Sequence, residues 1–550
     1  GEGAQPVDWQ EAQPQEDKEE KDEEVGIDIN NLVDEISDEY EDPTLVRIDR
    51  DQHFNICGSC HARRGDISGK FAVGDDFFDH YELILPDYSN TYYPDGQIWD
   101  EDFELAAFTL SNMYTKDVRC VDCHNPHSAK VSVDGNALCL RCHEAGVPNK
   151  IPIDSLEHGF HPLDKEGSLC TDCHMPQTPY MARHWRHDHG MTIPDPLLTK
   201  ELDIPNACSR CHEEEGLDWN IDYVNQWYGD RMNRPTRERA RLLARMKNGD
   251  TQAAPGILEF LSQEVNPTWR AVYVKFLTPI VPVGTEKVDH QTLIQKMIKL
   301  LDDKSPLVQS AAIDALEPLA MQFADKITPK LDSPNRLVRV KAAWALRRQL
   351  DHKTQAAKEL MARLNFNQDQ PLGAFQRGIL YADNGHDQNA GEWFKKAISW
   401  DPGVAAFRYS YAVALSKLKQ PAAAIIQMSK AIELEPQESA YPYSLGLLYA
   451  EVGRMNDARD ALLAAVNLDP NQDRYWYNLA QIEFNSGKTS SAFESILKAM
   501  ELEPNVADYP YVLGYFYYKI KQYDLARKAL QQALRINPNH RGAMQLLNSM

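Results

Sequence analysis

The chain has no apolar run approaching the ~18–20 residues that cross a bilayer, so no membrane-spanning helix is expected. Positive charge is in short supply: 58 Lys and Arg face 82 Asp and Glu, for a formal net charge of −24. A nucleic-acid partner is excluded on that balance, because a phosphate backbone demands a basic surface. Gly1 is not followed by a basic segment and an apolar stretch, the marks of an export leader. Histidine is nearly absent from the C-terminal three fifths, where only His290, His352, His386 and His540 occur; the other 13 of 17 lie between His53 and His212. No cysteine stands alone.

The ten cysteines form five pairs of one spacing: Cys57/Cys60, Cys120/Cys123, Cys139/Cys142, Cys170/Cys173 and Cys208/Cys211. A histidine follows each pair at once, as His61, His124, His143, His174 and His212. Two thiols separated by two residues can reach the two vinyl groups on one porphyrin edge, and the next residue then falls under the ring to ligate iron. A zinc site needs four ligands per ion and no histidine after every pair, while a redox dithiol needs one pair only. Five repeats that consume every cysteine therefore predict five covalently bound haem c groups. Haem c is attached outside the cytoplasm, so an extracytoplasmic location and a leader already removed are expected. Residues 53–212 are too short to build a separate core around each haem, so the macrocycles themselves are expected to be the core. Haems packed so closely can pass electrons among themselves.

A second histidine closes each iron for electron transfer, whereas an open position admits substrate. His53, His80, His127, His158, His161, His184, His187 and His189 are available. His127 follows His124 by three residues, a span of at most ~10 Å, and should serve a different haem. His161, with His158 as the alternative, lies shortly before Cys170. His80 sits in an apolar Phe-Phe-Asp-His-Tyr setting, His189 is preferred in its cluster, and His53 could serve its own chain or a neighbour. Arg63, Arg64, Arg183 and Arg186 read as partners of haem propionates.

The stretches CVDCHNPH from Cys120, NALCLRCH from Asn136, CTDCHMP from Cys170 and PNACSRCH from Pro205, with Ala62-Arg63-Arg64-Gly65 after the first motif, resemble the multihaem cytochromes with C-terminal tetratricopeptide repeats. That family is loosely related to multihaem nitrite reductases and hydroxylamine oxidoreductases. The resemblance implies distal ligands at His80, His127, His161 and His189. Such proteins usually carry further haem motifs upstream of the position of Cys57. Here that place holds an acidic segment with 17 Asp and Glu in its first 42 residues against Lys18 and Lys21, of a composition that favours a solvated tail. An upstream catalytic haem is thereby removed, and an electron carrier is expected rather than a catalyst. In outline the chain is also similar to extracellular cytochromes that polymerise into conductive filaments.

From Pro371 a 34-residue period runs to the end. Pro402, Pro436, Pro470, Pro504 and Pro538 keep it, as do Ala397, Ala431, Ala465, Ala499 and Ala533, and Gly378, Ala412, Gly446, Ala480 and Gly514. That period is the tetratricopeptide (TPR) one, in which small residues let paired helices approach and proline stops the second. Before it, Leu301–Val308 recurs as Leu331–Val338, each followed by an Ala-rich apolar helix, which reads as HEAT-like repeats.

The expected fold is mostly α: an acidic tail over 1–50, a loop-rich, haem-packed cytochrome domain over 51–230, HEAT-like repeats over 231–367, and TPR units with a capping helix over 368–550. The expected function is electron transfer through five bis-histidine haems to other redox proteins or a terminal acceptor. Self-association into a polymer and a protein partner on the TPR face accompany it. The alternative is a reductase acting on a nitrogen or sulfur oxyanion at one open haem.

Overall fold

The computed structural model describes residues 50–550 apart from 73, 101–102, 129, 144–157, 163–164 and 181–183. The acidic segment and Arg183 lie outside the described residues, as does the side chain of His53. The protein is mostly helical, with three two-stranded antiparallel ladders among the described residues. No described helix is long and apolar enough to cross a membrane.

The C-terminal part is five antiparallel helix pairs and a final helix. The pairs are Pro371–Asp383 with Asp387–Trp400, Ala405–Lys417 with Pro421–Leu434, Ala440–Glu451 with Met455–Leu468, Asp473–Asn485 with Thr489–Leu502, and Asp508–Lys519 with Tyr523–Ile536; Arg541–Asn548 closes the array. The small residues of the 34-residue period sit where helices meet. A Cβ on Gly446 would come within 2.7 Å of Leu462, and one on Gly514 within 2.8 Å of Leu530. Between 235 and 366, shorter helices such as Pro267–Leu277, Pro306–Leu316 and Arg336–Ala345 pack in succession. Proline begins several of them, where its missing N–H costs nothing.

One buried cluster joins Phe54, Phe77, Leu83, Leu85 and Leu105 to Leu243, Val272, Phe276, Leu293, Ile313 and Val338. The chain on both sides of position 230 thus shares a core. Polar contacts reinforce it: Trp269 Nε1 donates to Leu110 O at 2.8 Å, and Tyr88 Oη donates to Phe276 O at 2.6 Å. Glu82 sits between Lys341 Nζ at 2.6 Å and Arg363 Nη2 at 3.2 Å, and Lys341 also meets Asp314 at 2.8 Å. Burial pushes the Glu82 carboxyl up, but Lys341, Arg363 and Lys275 outweigh it and bring it down to about 2.

The segment that carries the second to fourth cysteine motifs is built differently. Between Tyr114 and Pro196, Pro176 is the one apolar side chain among the described residues that is buried. Three short motif helices, two ladders and turns have no apolar interior of their own there among the described residues. A chain cannot order itself on so little buried surface without a further staple.

Candidate haem-binding site

Each Cys-x-x-Cys pair lies on a helical turn: Arg50–His61, Cys120–Cys123, Asn136–His143, Cys170–His174 and Cys208–Cys211. In the second and fourth, Asp122 and Asp172 accept from the backbone N–H of Arg119 and Leu169 at 2.7 and 3.2 Å and fix the start of the turn. One turn of helix sets both thiols on one side and carries the histidine just beyond them.

All ten thiols are free, and they adjoin one another in chain order. Cys57 lies beside Cys120, and Cys139 beside Cys170. The neighbouring thiol brings Cys57 down to about 6 and Cys170 to about 7, and drives Cys120 and Cys139 up. Cys123 lies in the field of Cys142. Burial, then Cys208, pushes Cys173 up to about 11. Each inner motif therefore uses its first thiol towards one neighbour and its second towards the other.

Three imidazole pairs face each other. His124 and His189 have ring centres 6.1 Å apart, His174 and His158 are stacked at 5.8 Å, and His212 and His161 stand at 6.2 Å. Two metal–imidazole bonds of about 2 Å on opposite sides of one iron place the ring centres about 6 Å apart. The Nδ1 atoms of three of these rings point to backbone carbonyls: His174 to Thr192 at 2.8 Å, His161 to Gly159 at 2.7 Å and His189 to His187 at 2.9 Å. Donating that N–H orients a ligating histidine and leaves Nε2 for the metal. Burial pushes His158, His174 and His189 down, toward the neutral form that binds iron. Among the described residues no three His, Cys, Asp or Glu converge on one ion. The pairs offer two ligands each, the number an iron already held by four porphyrin nitrogens accepts. The donor set fits haem c: Cys thiols for the vinyl groups, the following histidine on one side and, at three motifs, a second histidine opposite.

His158 and His161 were expected as alternatives for one iron, yet the structure gives each its own partner. Phe160 between them has φ +54, a left-handed conformation that bulky residues rarely adopt, and its ring stacks on Trp227 at 4.8 Å. That reversal turns the two histidines towards different motifs. The three-residue argument applied to His124 and His127 holds equally for His158 and His161 and could have separated them.

His80 is placed otherwise than the sequence suggests. It is buried, with Nδ1 3.1 Å from Ser68 Oγ and Nε2 3.0 Å from Asp75. The apolar setting is the protein's main core, and both ring nitrogens are engaged within it. His127 is exposed on a turn capped by Asn125. His187 bonds Met175 O at 2.6 Å and Gln177 at 3.0 Å, and His184 is exposed. His143 lies in the field of His174. His61 Nδ1 is 3.6 Å from Glu104, a residue the sequence did not single out. Of the arginines, Arg63 bonds Asp100 at 3.0 Å, Arg64 covers the Tyr81 ring at 4.3 Å and Arg186 reaches Glu104 at 3.4 Å.

His189→Ala is expected to leave the haem complement intact while turning one low-spin haem high-spin, read by electron paramagnetic resonance. His187→Ala, beside it in sequence, leaves the spectrum unchanged because its ring nitrogens are engaged by Met175 and Gln177.

Comparison with known proteins agrees at a coarse level. Residues 113–147 match the doubled CXXCH motif family, and residues 374–403, 405–438, 443–505 and 511–540 match tetratricopeptide repeat families. The chain thus pairs a haem-attachment motif of c-type cytochromes with C-terminal TPR units. No curated protein matches it. Similar solved structures include MamA, 22% identical over 29% of this chain and 94% of its own, with a TM-score of 0.29. YrrB, a TPR protein with an unusual peptide-binding site, is 20% identical over 34% and 97%, at 0.31. MamA from Desulfovibrio magneticus RS-1 is 18% identical over 32% and 98%, at 0.30.

Proposed function

We propose that this chain is an extracytoplasmic electron-transfer protein with five haem c groups, which assembles into a polymer through its repeats and acidic segment. When bound, haem supplies one-electron iron chemistry at each motif. The residues' part is to hold and close it. Cys57/Cys60, Cys120/Cys123, Cys139/Cys142, Cys170/Cys173 and Cys208/Cys211 anchor the five groups, and His61, His124, His143, His174 and His212 ligate from one side. His189, His158 and His161 would supply a second ligand at three of the groups, which would keep substrate out and favour transfer over catalysis. His53 and His127 are the candidates for the remaining two.

The observation that carries this reading is the set of three imidazole pairs at 5.8–6.2 Å, each joining a motif histidine to a second one. The thiols that adjoin in chain order support a single series of haems. TPR arrays commonly bind protein, which supports a partner or a second copy on the repeats. An acidic segment next to His53 suits a contact made in trans.

Electron microscopy of the purified native protein tests the whole reading. A filament with haems continuous across the subunit boundary is the expected result. Discrete particles with one haem lacking a second histidine would overturn the polymer and favour a reductase acting on a nitrogen or sulfur oxyanion. A chain without covalent haem would overturn both.

A further inference from the structure

One partly buried carboxylate is not accounted for by the haem ligation. Glu104 opens the helix Glu104–Leu110, whose Leu105, Ala106, Ala107 and Leu110 are buried, so its position is rigid. Its side chain is 20% exposed. Oε1 accepts from Arg186 Nη1 at 3.4 Å. Oε2 is fully shielded from water and accepts no hydrogen bond, and a buried acceptor left so is costly. The donor facing it is His61 Nδ1, at 3.6 Å. Glu104 also lies in the field of His189, opposite His124, so it stands between the first and second motifs.

The other described pairings differ in kind. His174, His161 and His189 give Nδ1 to neutral carbonyls. His212 has a carboxylate, Glu215, but at 3.9 Å and 43% exposed, where water screens it more than Glu104 at 20%, although the His61 ring itself is 66% exposed. A carboxylate behind a ligating imidazole fixes the ring and raises its basicity, and more electron density on iron favours the oxidised state.

Resting on the haem reading above, we propose that Glu104 is a positioning residue that orients His61 and sets the haem at Cys57–His61 as the most reducing of the series. The first motif then differs from its neighbours by a shielded carboxylate oxygen and not by its ligand type.

The test is a spectroelectrochemical titration of the purified holoprotein, with covalent haem counted first by intact mass. Glu104→Gln is expected to keep five haems and move the lowest-potential component upward, leaving the others in place. Arg186→Gln, which removes the cation beside the carboxylate, is expected to move the same component downward. Glu104→Asp restores most of the wild-type potential, and Glu215→Gln shifts little. An unmoved lowest component in both Glu104→Gln and Arg186→Gln, with five haems retained, overturns the role of Glu104. If Glu104→Gln loses the haem, Arg186→Gln decides alone. A wild-type chain with no haem on Cys57 and Cys60 overturns the haem reading instead.

Discussion

Cys170→Ser with Cys173→Ser is expected to yield a chain with one haem fewer, seen as a single-haem loss in intact mass. The effect should spread beyond one cofactor. Cys170 lies beside Cys139 and Cys173 is in the field of Cys208, so this motif is coupled to both its neighbours. Between Tyr114 and Pro196 only Pro176 supplies a buried apolar side chain among the described residues, so no protein core remains to keep the neighbouring motifs in place. Limited proteolysis should cut the variant within this stretch and leave the repeat array whole. A variant as resistant as the wild type would mean that the haems are not the core here.

Glu82→Gln should cost about 3 kcal/mol, the low end for breaking a buried ion pair by removal of one partner. Glu82 is 18% exposed and lies between Lys341 and Arg363, which are 11% and 16% exposed. Lys341 keeps Asp314, whereas Arg363 loses its carboxylate, and two cations are left close together. The pH dependence has a definite sign. The Glu82 carboxyl is held at about 2 in the fold against an ordinary 4.5. Its stabilisation is therefore complete above pH 4.5 and drains away as pH falls toward 2. Glutamine does not titrate, so the gap between wild type and variant should narrow across that window. Urea unfolding of the holoprotein at several pH values measures it, and a constant gap would refute the assignment.

How far the sequence could be read depended on whether the physics was local. The TPR array is legible because each unit repeats its own small residues and helix stops, as Gly446 and Pro470 show. The cysteine motifs are legible because their chemistry demands a fixed spacing within one turn of helix. The histidine partners are not local. His124 meets His189 across 65 positions of sequence, and no spacing rule reaches that far. The place of His80 beside Ser68 and Asp75 was not legible, because an apolar neighbourhood marks a protein core as readily as a haem face. Glu104 was invisible because a single glutamate in a charge-rich chain carries no pattern. The sharing of one core across position 230 was hidden for the same reason: Phe77 and Val272 are ordinary apolar residues until the chain brings them together.

That shared core has a consequence in time. Phe54 and Phe77 are buried with Ile313 and Val338, so the first motif's surroundings cannot close until a distant stretch has been made. At roughly 5–20 residues per second of synthesis, that delay is on the order of a quarter of a minute to one minute. Throughout it the helix that carries Cys57 and Cys60 lacks the apolar floor on which Phe54 is later buried. The first motif to be synthesised therefore waits for Ile313 and Val338 before its own position is fixed.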